Sequence, residues 1–240
     1  MRPYVFVLLT LIALTSGEYL AAEPQSGRTD CRGDRITISG ATPEEIALAC
    51  AGISDALGFF RQYGFNTDID IDVTVQPKVL AGDAKDLSFA VLGQYRPREN
   101  QVFMTSLETQ REMAVDKPVF RVPFAPVQFR EVVAHEVAHV LAEHNFTHPD
   151  PSRLVHEYIA YIVQMTTMAP ERRAEIFAAY TVQPFEEPLD INPMVYAIAP
   201  DTFALKTYFY FAAQPDGRAY LRQIMKEDLP GANYTFDLFG

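Results

Sequence analysis

One apolar stretch, Pro126 to His144, most limits what this chain can fold into. It is apolar nearly all round a 3.6-residue period, which predicts a helix that is buried on every side. Its polar exceptions recur at a spacing of four and therefore share one face: Glu131, His135, His139 and Glu143, with Glu136 beside them. Burying such a row is costly unless the side chains have partners, so the fold must supply those partners.

The centre of this helix, His135-Glu-Val-Ala-His139, matches the H-E-x-x-H zinc motif. The two imidazoles lie one turn apart on the same face, so both can reach a single metal ion. Glu136 can then face a water molecule on that ion. Two alternatives stay open for the polar row: it is solvated, or its histidines hydrogen-bond inside an ordinary core.

A second helix is predicted from an apolar run, Leu154 to Met168, preceded by a cap at Asp150-Pro151. The loop between the two helices is short, so they should pack as an antiparallel pair. At about 1.5 Å per residue, that arrangement brings Glu157 to the height of His139. We therefore predict Glu157 as the third zinc ligand, with the neighbouring His156 as its rival.

The two histidines with Glu136, followed by Glu157 in His-Glu-Tyr-Ile-Ala-Tyr, resemble the gluzincin metallopeptidases, among them the thermolysin-like and aminopeptidase-N-like enzymes. Within this chain, the resemblance covers only the two predicted helices. The chain is also similar to secreted bacterial proteins that carry the same signature. Two details differ from the family patterns. No Gly-Ala-Met-Glu-Asn exopeptidase motif lies upstream, and Tyr161 stands where thermolysin-like enzymes have an aspartate.

The resemblance implies a zincin-like fold, in which an edge strand ahead of the metal helix binds the substrate as an added strand. Asn100 to Thr105 occupies that place, although an internal strand fits its sequence equally well. The resemblance also implies a downstream tyrosine that donates to a tetrahedral oxyanion, a role open to Tyr208 or Tyr210. Packing in an aromatic core is the alternative for both tyrosines.

The remaining pattern predicts an α+β fold with a small N-terminal sheet, the metal helix beneath it and a mainly helical C-terminal half. Four stretches are typical of strands: 35–39, 68–75, 87–95 and 101–105. A capping box at Thr42-Pro-Glu-Glu45 predicts a helix that ends near Gln62. Further helices are predicted at 170–180, 201–213 and 220–226.

Residues 1–22 predict a signal peptide, because a positive Arg2 and the apolar run Val5 to Leu14 precede small residues ending at Ala22. An uncleaved anchor is the alternative. We expect residues 23–240 to form a single exported domain, periplasmic or extracellular, with no stable membrane insertion after cleavage. The net charge of −11, without basic runs, argues against nucleic acid or anionic membranes as partners.

Cys31 and Cys50 are the two cysteines of the chain. In an oxidising export compartment they should form a disulfide, which pins the entry segment onto the first helix. Two free buried thiols are the alternative.

Together these features predict a zinc-dependent metallopeptidase. Zinc held by His135, His139 and Glu157 would activate a water, and Glu136 would take its proton and pass it to the leaving amine of a peptide or protein substrate. The alternatives are a non-catalytic exported binding protein with a zinc-stabilised core, or polar rows that only hydrogen-bond each other. No sequence feature predicts an oligomeric state.

Overall fold

The computed structural model of the protein describes residue 31 and residues 35–81 and 89–232, so the predicted signal peptide lies outside the described residues. The described part of the first half contains six strands and two helices: β1 (Ile36–Ser39), α1 (Pro43–Gln62), β2 (Ile71–Gln76), β3 (Val79–Ala81), β4 (Phe89–Val91), β5 (Gly93–Arg96), β6 (Gln101–Thr105) and α2 (Leu107–Asp116). After α2, the described part of the chain contains six α-helices: α3 (Val127–Glu143), α4 (Arg153–Thr167), α5 (Pro170–Ala178), α6 (Pro193–Ile198), α7 (Pro200–Ala212) and α8 (Gly217–Glu227). It also contains two short 3₁₀ helices, Val119–Arg121 and Pro188–Asp190. The predicted α+β organisation is confirmed.

The main sheet has the strand order β1-β2-β6-β5 and is mixed. β1, β2 and β6 run parallel, whereas β5 is antiparallel to β6. α1 is the crossover between the parallel strands β1 and β2, and it begins at the predicted capping box. The Thr42 hydroxyl accepts from the Glu45 amide at 3.3 Å, and the Thr42 amide donates to the Glu45 carboxylate at 2.8 Å.

β2 buries one face and leaves the other half-exposed, as its alternating sequence predicts. Ile71, Val73 and Val75 are buried, whereas Asp72 and Thr74 are less so. A strand with this pattern packs one side against helices.

Of the two interpretations of Asn100 to Thr105, the structure shows the internal strand and not the edge strand. β6 is internal because it pairs with β2 on one side and with β5 on the other. Among the described strands of this sheet, β5 lies at the edge next to β6.

The predicted strand 87–95 is split at Leu92. β4 pairs with β3 in a separate two-stranded sheet, whereas β5 joins the main sheet. Thr105 holds the junction: its hydroxyl donates to the Val91 carbonyl at 2.6 Å and accepts from the Val79 amide at 2.9 Å. Its own amide donates to the Leu92 carbonyl at 2.9 Å. These bonds let the chain leave one sheet and enter the other within a single residue.

α3 is the buried helix that its sequence predicts, with 14 of its 17 residues buried. It packs against α1, α4, β5 and β6. The contact with α1 is close because Gly52 has no side chain; a Cβ there would overlap the Arg130 carbonyl and lie 2.9 Å from the Val133 Cβ. The metal motif therefore lies between the sheet and the C-terminal helices.

α4 begins later than Asp150-Pro151, where the sequence placed its cap. Ser152 is the N-cap, and its hydroxyl accepts from the Val155 amide at 3.2 Å. A residue from the far end of the chain fixes this cap: the Asp228 carboxylate accepts from the Ser152 amide at 2.7 Å and from its hydroxyl at 2.8 Å. Asp228, which no local pattern identifies, thus sets where α4 starts.

The predicted disulfide joins Cys31 to Cys50, with the Cα atoms 5.2 Å apart, and fastens the segment before β1 to α1. In the part of the chain covered by 35–81 and 89–232, no helix has both the length and the apolar character to span a bilayer.

Candidate metal centre

Three residues predicted as ligands come together between α3 and α4. The Nε2 atoms of His135 and His139 lie 3.5 and 3.9 Å from the same oxygen, Oε2 of Glu157. One ligand-type atom from each residue lies within 4.8 Å of the other two. The helices are antiparallel, as predicted, because contacts run in opposite directions along them: Glu143 meets His156, and His135 meets Gln164.

These three residues fit a metal ion. Zinc binds nitrogen and oxygen ligands at about 2.0–2.2 Å, and a tetrahedral arrangement then places neighbouring ligand atoms about 3.3–3.6 Å apart. The distances to Glu157 are close to that spacing. All three side chains are nearly buried, with exposed fractions of 11%, 11% and 12%. Three protein ligands leave a fourth position free, as in catalytic rather than structural zinc sites.

Neighbouring side chains orient the ligands. The Gln164 amide oxygen lies 3.1 Å from Nδ1 of His135, so it can accept a hydrogen bond from Nδ1–H when Nε2 binds a metal ion. The Tyr161 ring packs edge-on against the His135 ring, with centroids 4.7 Å apart. On the other side, Arg153 Nε lies 3.8 Å from Oε1 of Glu157. His135 and Glu157 are therefore held in place by groups that are not ligands themselves.

The site's electrostatics favour metal-binding protonation states for two ligands. Burial lowers the pKa of His139 to about 3 despite the opposing charge of Glu157. Burial alone would raise the pKa of Glu157, but the His135 hydrogen bond and the charges of both histidines lower it to about 2. At neutral pH His139 is therefore neutral and Glu157 is anionic, the forms that bind metal ions.

Glu136 lies beside the ligands and is only 7% exposed. One carboxylate oxygen, Oε2, accepts from the Tyr95 amide of β5 at 2.9 Å. The close approach of β5 depends on Gly93, since a Cβ there would lie 2.7 Å from Glu136 Cγ and 2.9 Å from Oε1. Burial raises the pKa of Glu136 to about 7, although the charge of His135 opposes the shift.

A cavity of about 140 Å³ opens next to Glu136. Its polar lining comes from His135, Glu136, Tyr161, Gln164 and Asp201. Its apolar lining comes from Leu92, Val119, Phe120 and Val132, with the backbone of Gly93 beside them. The cavity therefore borders the candidate metal centre at His135, and its walls come from several separate segments of the chain.

The wall at Val119 and Phe120 belongs to a strained turn. Phe120 and Arg121 have φ angles of 53° and 55°, so two consecutive non-glycine residues adopt the left-handed conformation. Each such residue costs about 1–3 kcal/mol and persists only where its surroundings hold it. Here Phe120 is buried at 3% exposure, and the Arg121 guanidinium lies over the Tyr180 ring, 4.4 Å from its centroid.

The model of a protein family described as a family of unknown function (DUF6639) matches residues 36–230. The chain belongs to this family. The matched region runs from the first residue of β1 to beyond α8, so it contains every residue of the candidate site. No curated protein and no solved structure matches the chain.

The rival ligand His156 lies apart from the three converging residues. Its Nε2 lies 3.3 Å from the Glu143 carboxylate, and its ring centroid is 6.0 Å from that of His139. Glu143, the last member of the polar row on α3, therefore has His156 as its partner.

Tyr208 and Tyr210 lie among aromatic side chains and do not line the cavity. The Tyr208 ring packs on Phe177 at 5.6 Å, and the Tyr210 ring packs on Tyr220 at 6.1 Å. The structure therefore places both tyrosines in aromatic packing, the alternative to the oxyanion role, and brings neither of them to the candidate site.

Sequence reasoning missed Tyr161 and Asp201 as cavity residues. Tyr161 could have been found, because it lies four residues after Glu157 on the same helical face. No local pattern marks Asp201, which reaches the cavity from the first turn of α7.

Proposed function

We propose that the protein is an exported zinc-dependent metallopeptidase of the gluzincin type, with a zincin-like fold. The observation that carries the proposal is the convergence of His135, His139 and Glu157 beside Glu136, a buried carboxylate that faces a cavity but is not one of the three. A purely structural metal site would not need such a carboxylate next to an open space. The disulfide is compatible with export.

The substrate would bind along β5. This strand is at the edge of the main sheet, and its Tyr95 amide already contacts Glu136. A peptide that adds to an open strand edge gains backbone hydrogen bonds whatever its sequence. In this proposal β5, and not β6, is the edge strand to which the substrate adds.

The protein's own groups support hydrolysis at this position. A zinc ion held by His135, His139 and Glu157 would supply a water of lowered pKa and polarise the scissile carbonyl. Glu136 keeps Oε2 fixed by the Tyr95 amide, which leaves Oε1 free to accept a proton from the attacking water. That proton passes to the leaving nitrogen as the carbon–nitrogen bond breaks, so the carboxylate is regenerated.

The deciding experiment is Glu136→Gln. The variant should fold and hold zinc like wild type, because Glu136 is not a predicted ligand. Its cleavage rate should fall by about 10²- to 10⁴-fold, the usual contribution of a general acid–base group. Zinc-loaded wild type and variant are compared on a mixture of peptides, with the products read by mass spectrometry.

Glu143→Gln is the matched control, since it removes a carboxylate from the same helix that pairs with His156 instead of lining the cavity. It should cleave at close to the wild-type rate. A Glu136→Gln protein that cleaves as fast as wild type would refute the mechanism. A folded, zinc-bound wild type that cleaves no peptide would favour a non-catalytic binding protein.

A further inference from the structure

Acidic side chains stand out among the described residues that line the cavity beside Glu136. Two of the residues that line it, Glu136 and Asp201, are carboxylates, and neither lysine nor arginine lines it. Glu136 is nine-tenths buried, and among the described residues only the Tyr95 amide hydrogen-bonds to it, through one of its two oxygens. Its second oxygen is therefore an acceptor that nothing in the described part of the chain satisfies.

Asp201 is held in place by contacts that do not neutralise it. Its Oδ2 accepts from the Tyr180 hydroxyl at 2.8 Å, and it lies in the first turn of α7, where the helix dipole favours a negative charge. No salt bridge among the described residues involves Asp201. The nearby Arg121 lies over the face of the Tyr180 ring. One carboxylate oxygen of Asp201 thus stays available for a cation.

The cavity also has the shape and walls for a long side chain. A cavity of about 150 Å³ accepts benzene, so the 140 Å³ here can hold the four-carbon stem of a lysine. Val119, Phe120 and Val132 provide an apolar surface for such a stem. Lysine and arginine bury their stems against apolar surface while the charged group meets a polar partner.

We infer that this cavity is a specificity pocket that takes a lysine or arginine side chain of the substrate, with Asp201 as the group that binds its charge. The inference rests on the proposed peptidase function and names its substrate class. A free α-amine, the other peptide cation, has no stem to fill the space between the apolar walls.

The test compares two peptides that differ only by lysine and its uncharged analogue norleucine beside the scissile bond. Wild type should prefer the lysine peptide in kcat/KM by about 10- to 100-fold, as expected for a hydrogen bond between charged groups in a partly buried site. Asp201→Asn keeps an oxygen for the Tyr180 hydroxyl but removes the charge, so this preference should collapse. Asp116→Asn, an exposed change at the end of α2, is the charge control and should leave the preference intact.

Both peptides are tested with free and with acetylated N-termini. Equal preference with either terminus supports the side-chain pocket, whereas a requirement for the free terminus would overturn it in favour of amine recognition. Wild-type cleavage that depends on Glu136 but shows no lysine or arginine preference would also overturn the inference, while the proposed function would stand.

A binding measurement tests the pocket without catalysis. Nα-acetyl-lysine amide and Nα-acetyl-norleucine amide are titrated into the zinc-loaded protein. Binding is followed by the NMR chemical shifts of the cavity residues. The lysine compound should bind wild type at least about tenfold more tightly, and Asp201→Asn should remove the difference. Equal binding of the two compounds to wild type would refute the pocket even if no peptide is ever cleaved.

Discussion

Glu157 meets both histidines through one oxygen and Arg153 through the other. Tyr196, from α6, adds to this environment and further lowers the pKa of the Glu157 carboxyl. His156, the adjacent residue on α4, points instead to Glu143. Two neighbouring residues of one helix thus face different partners, because successive side chains are about 100° apart around a helix.

This difference leads to a prediction about metal content. Glu157→Ala should lose most bound zinc, because two histidines alone make an incomplete site. His156→Ala should keep about one zinc per chain, since its partner is a carboxylate outside the three converging residues. Zinc is measured by elemental mass spectrometry after gel filtration. If His156→Ala loses the metal and Glu157→Ala keeps it, the third ligand is wrongly assigned.

At the scale of elements, the site depends on how closely β5 approaches α3. Gly93 allows that approach because it has no Cβ to overlap Glu136. The approach brings the Tyr95 amide within hydrogen-bonding distance of one oxygen of Glu136. Gly52 plays the same part elsewhere on α3, where it lets α1 pack against Arg130 and Val133. α3 is thus approached closely at two places where a glycine has no Cβ to interfere.

Gly93→Ala should therefore impair catalysis while leaving the metal bound. The added Cβ would overlap Glu136, so either the carboxylate turns away or β5 moves outward. We expect kcat/KM to fall about tenfold or more. A misplaced Glu136 needs to raise the activation free energy by only about 1.4 kcal/mol to cause that loss. The measurement combines peptide cleavage with zinc content.

Gly58→Ala is the matched control. A Cβ at Gly58 would meet nothing within 4 Å, and alanine favours helices by about 1 kcal/mol over glycine. That variant should keep its activity and unfold at a slightly higher temperature. Full activity in Gly93→Ala would show that the approach of β5 does not position Glu136.

At the scale of the whole molecule, Glu131 connects the metal helix to the C-terminal helices. It is 5% exposed and lies 3.8 Å from Nε of Arg172 on α5. Burial raises its pKa to about 7, despite the opposing charges of Arg172 and Arg130. Among the described residues, neither Glu131 Oε1 nor Arg172 Nε has a hydrogen-bond partner, so the pair is incompletely satisfied.

The raised pKa predicts how stability depends on pH. Because the folded-state pKa of about 7 exceeds the ordinary value of 4.5, the contribution of Glu131 is fully present below pH 4.5 and is lost as pH rises through 7. Relative to Glu131→Gln, wild type should therefore lose up to about 3 kcal/mol of unfolding free energy between pH 4.5 and about pH 8. Urea unfolding of both proteins at several pH values measures the difference.

Glu175→Gln serves as the comparison, because Glu175 also pairs with Arg172 but its side chain is 49% exposed. An equal pH-dependent difference in Glu175→Gln would assign the effect to the Arg172 pairing and not to the burial of Glu131. A difference between wild type and Glu131→Gln that is independent of pH would contradict the assigned shift.

Local periodicity and capping signals in the sequence were enough to predict several features of the fold and the site. These are the fully buried helix α3, the capping box of α1, the alternation of β2 and the antiparallel return of α4 that brings Glu157 to the histidines. Each rests on residues a few positions apart or on one short loop, so the pattern and the structure it specifies lie in the same segment. The pairing of Cys31 with Cys50 followed from having only two cysteines.

Contacts between distant segments, by contrast, set which strand is the edge, where α4 begins and which residues line the cavity. β5, and not β6, lies at the edge because β6 pairs with β2 on one side and with β5 on the other. Asp228 fixes the α4 cap across 76 positions. Asp201 meets Glu136 in one cavity only because α7 folds back beside α4. Such contacts join segments far apart in the chain, so they depend on how whole elements pack and not on any local pattern.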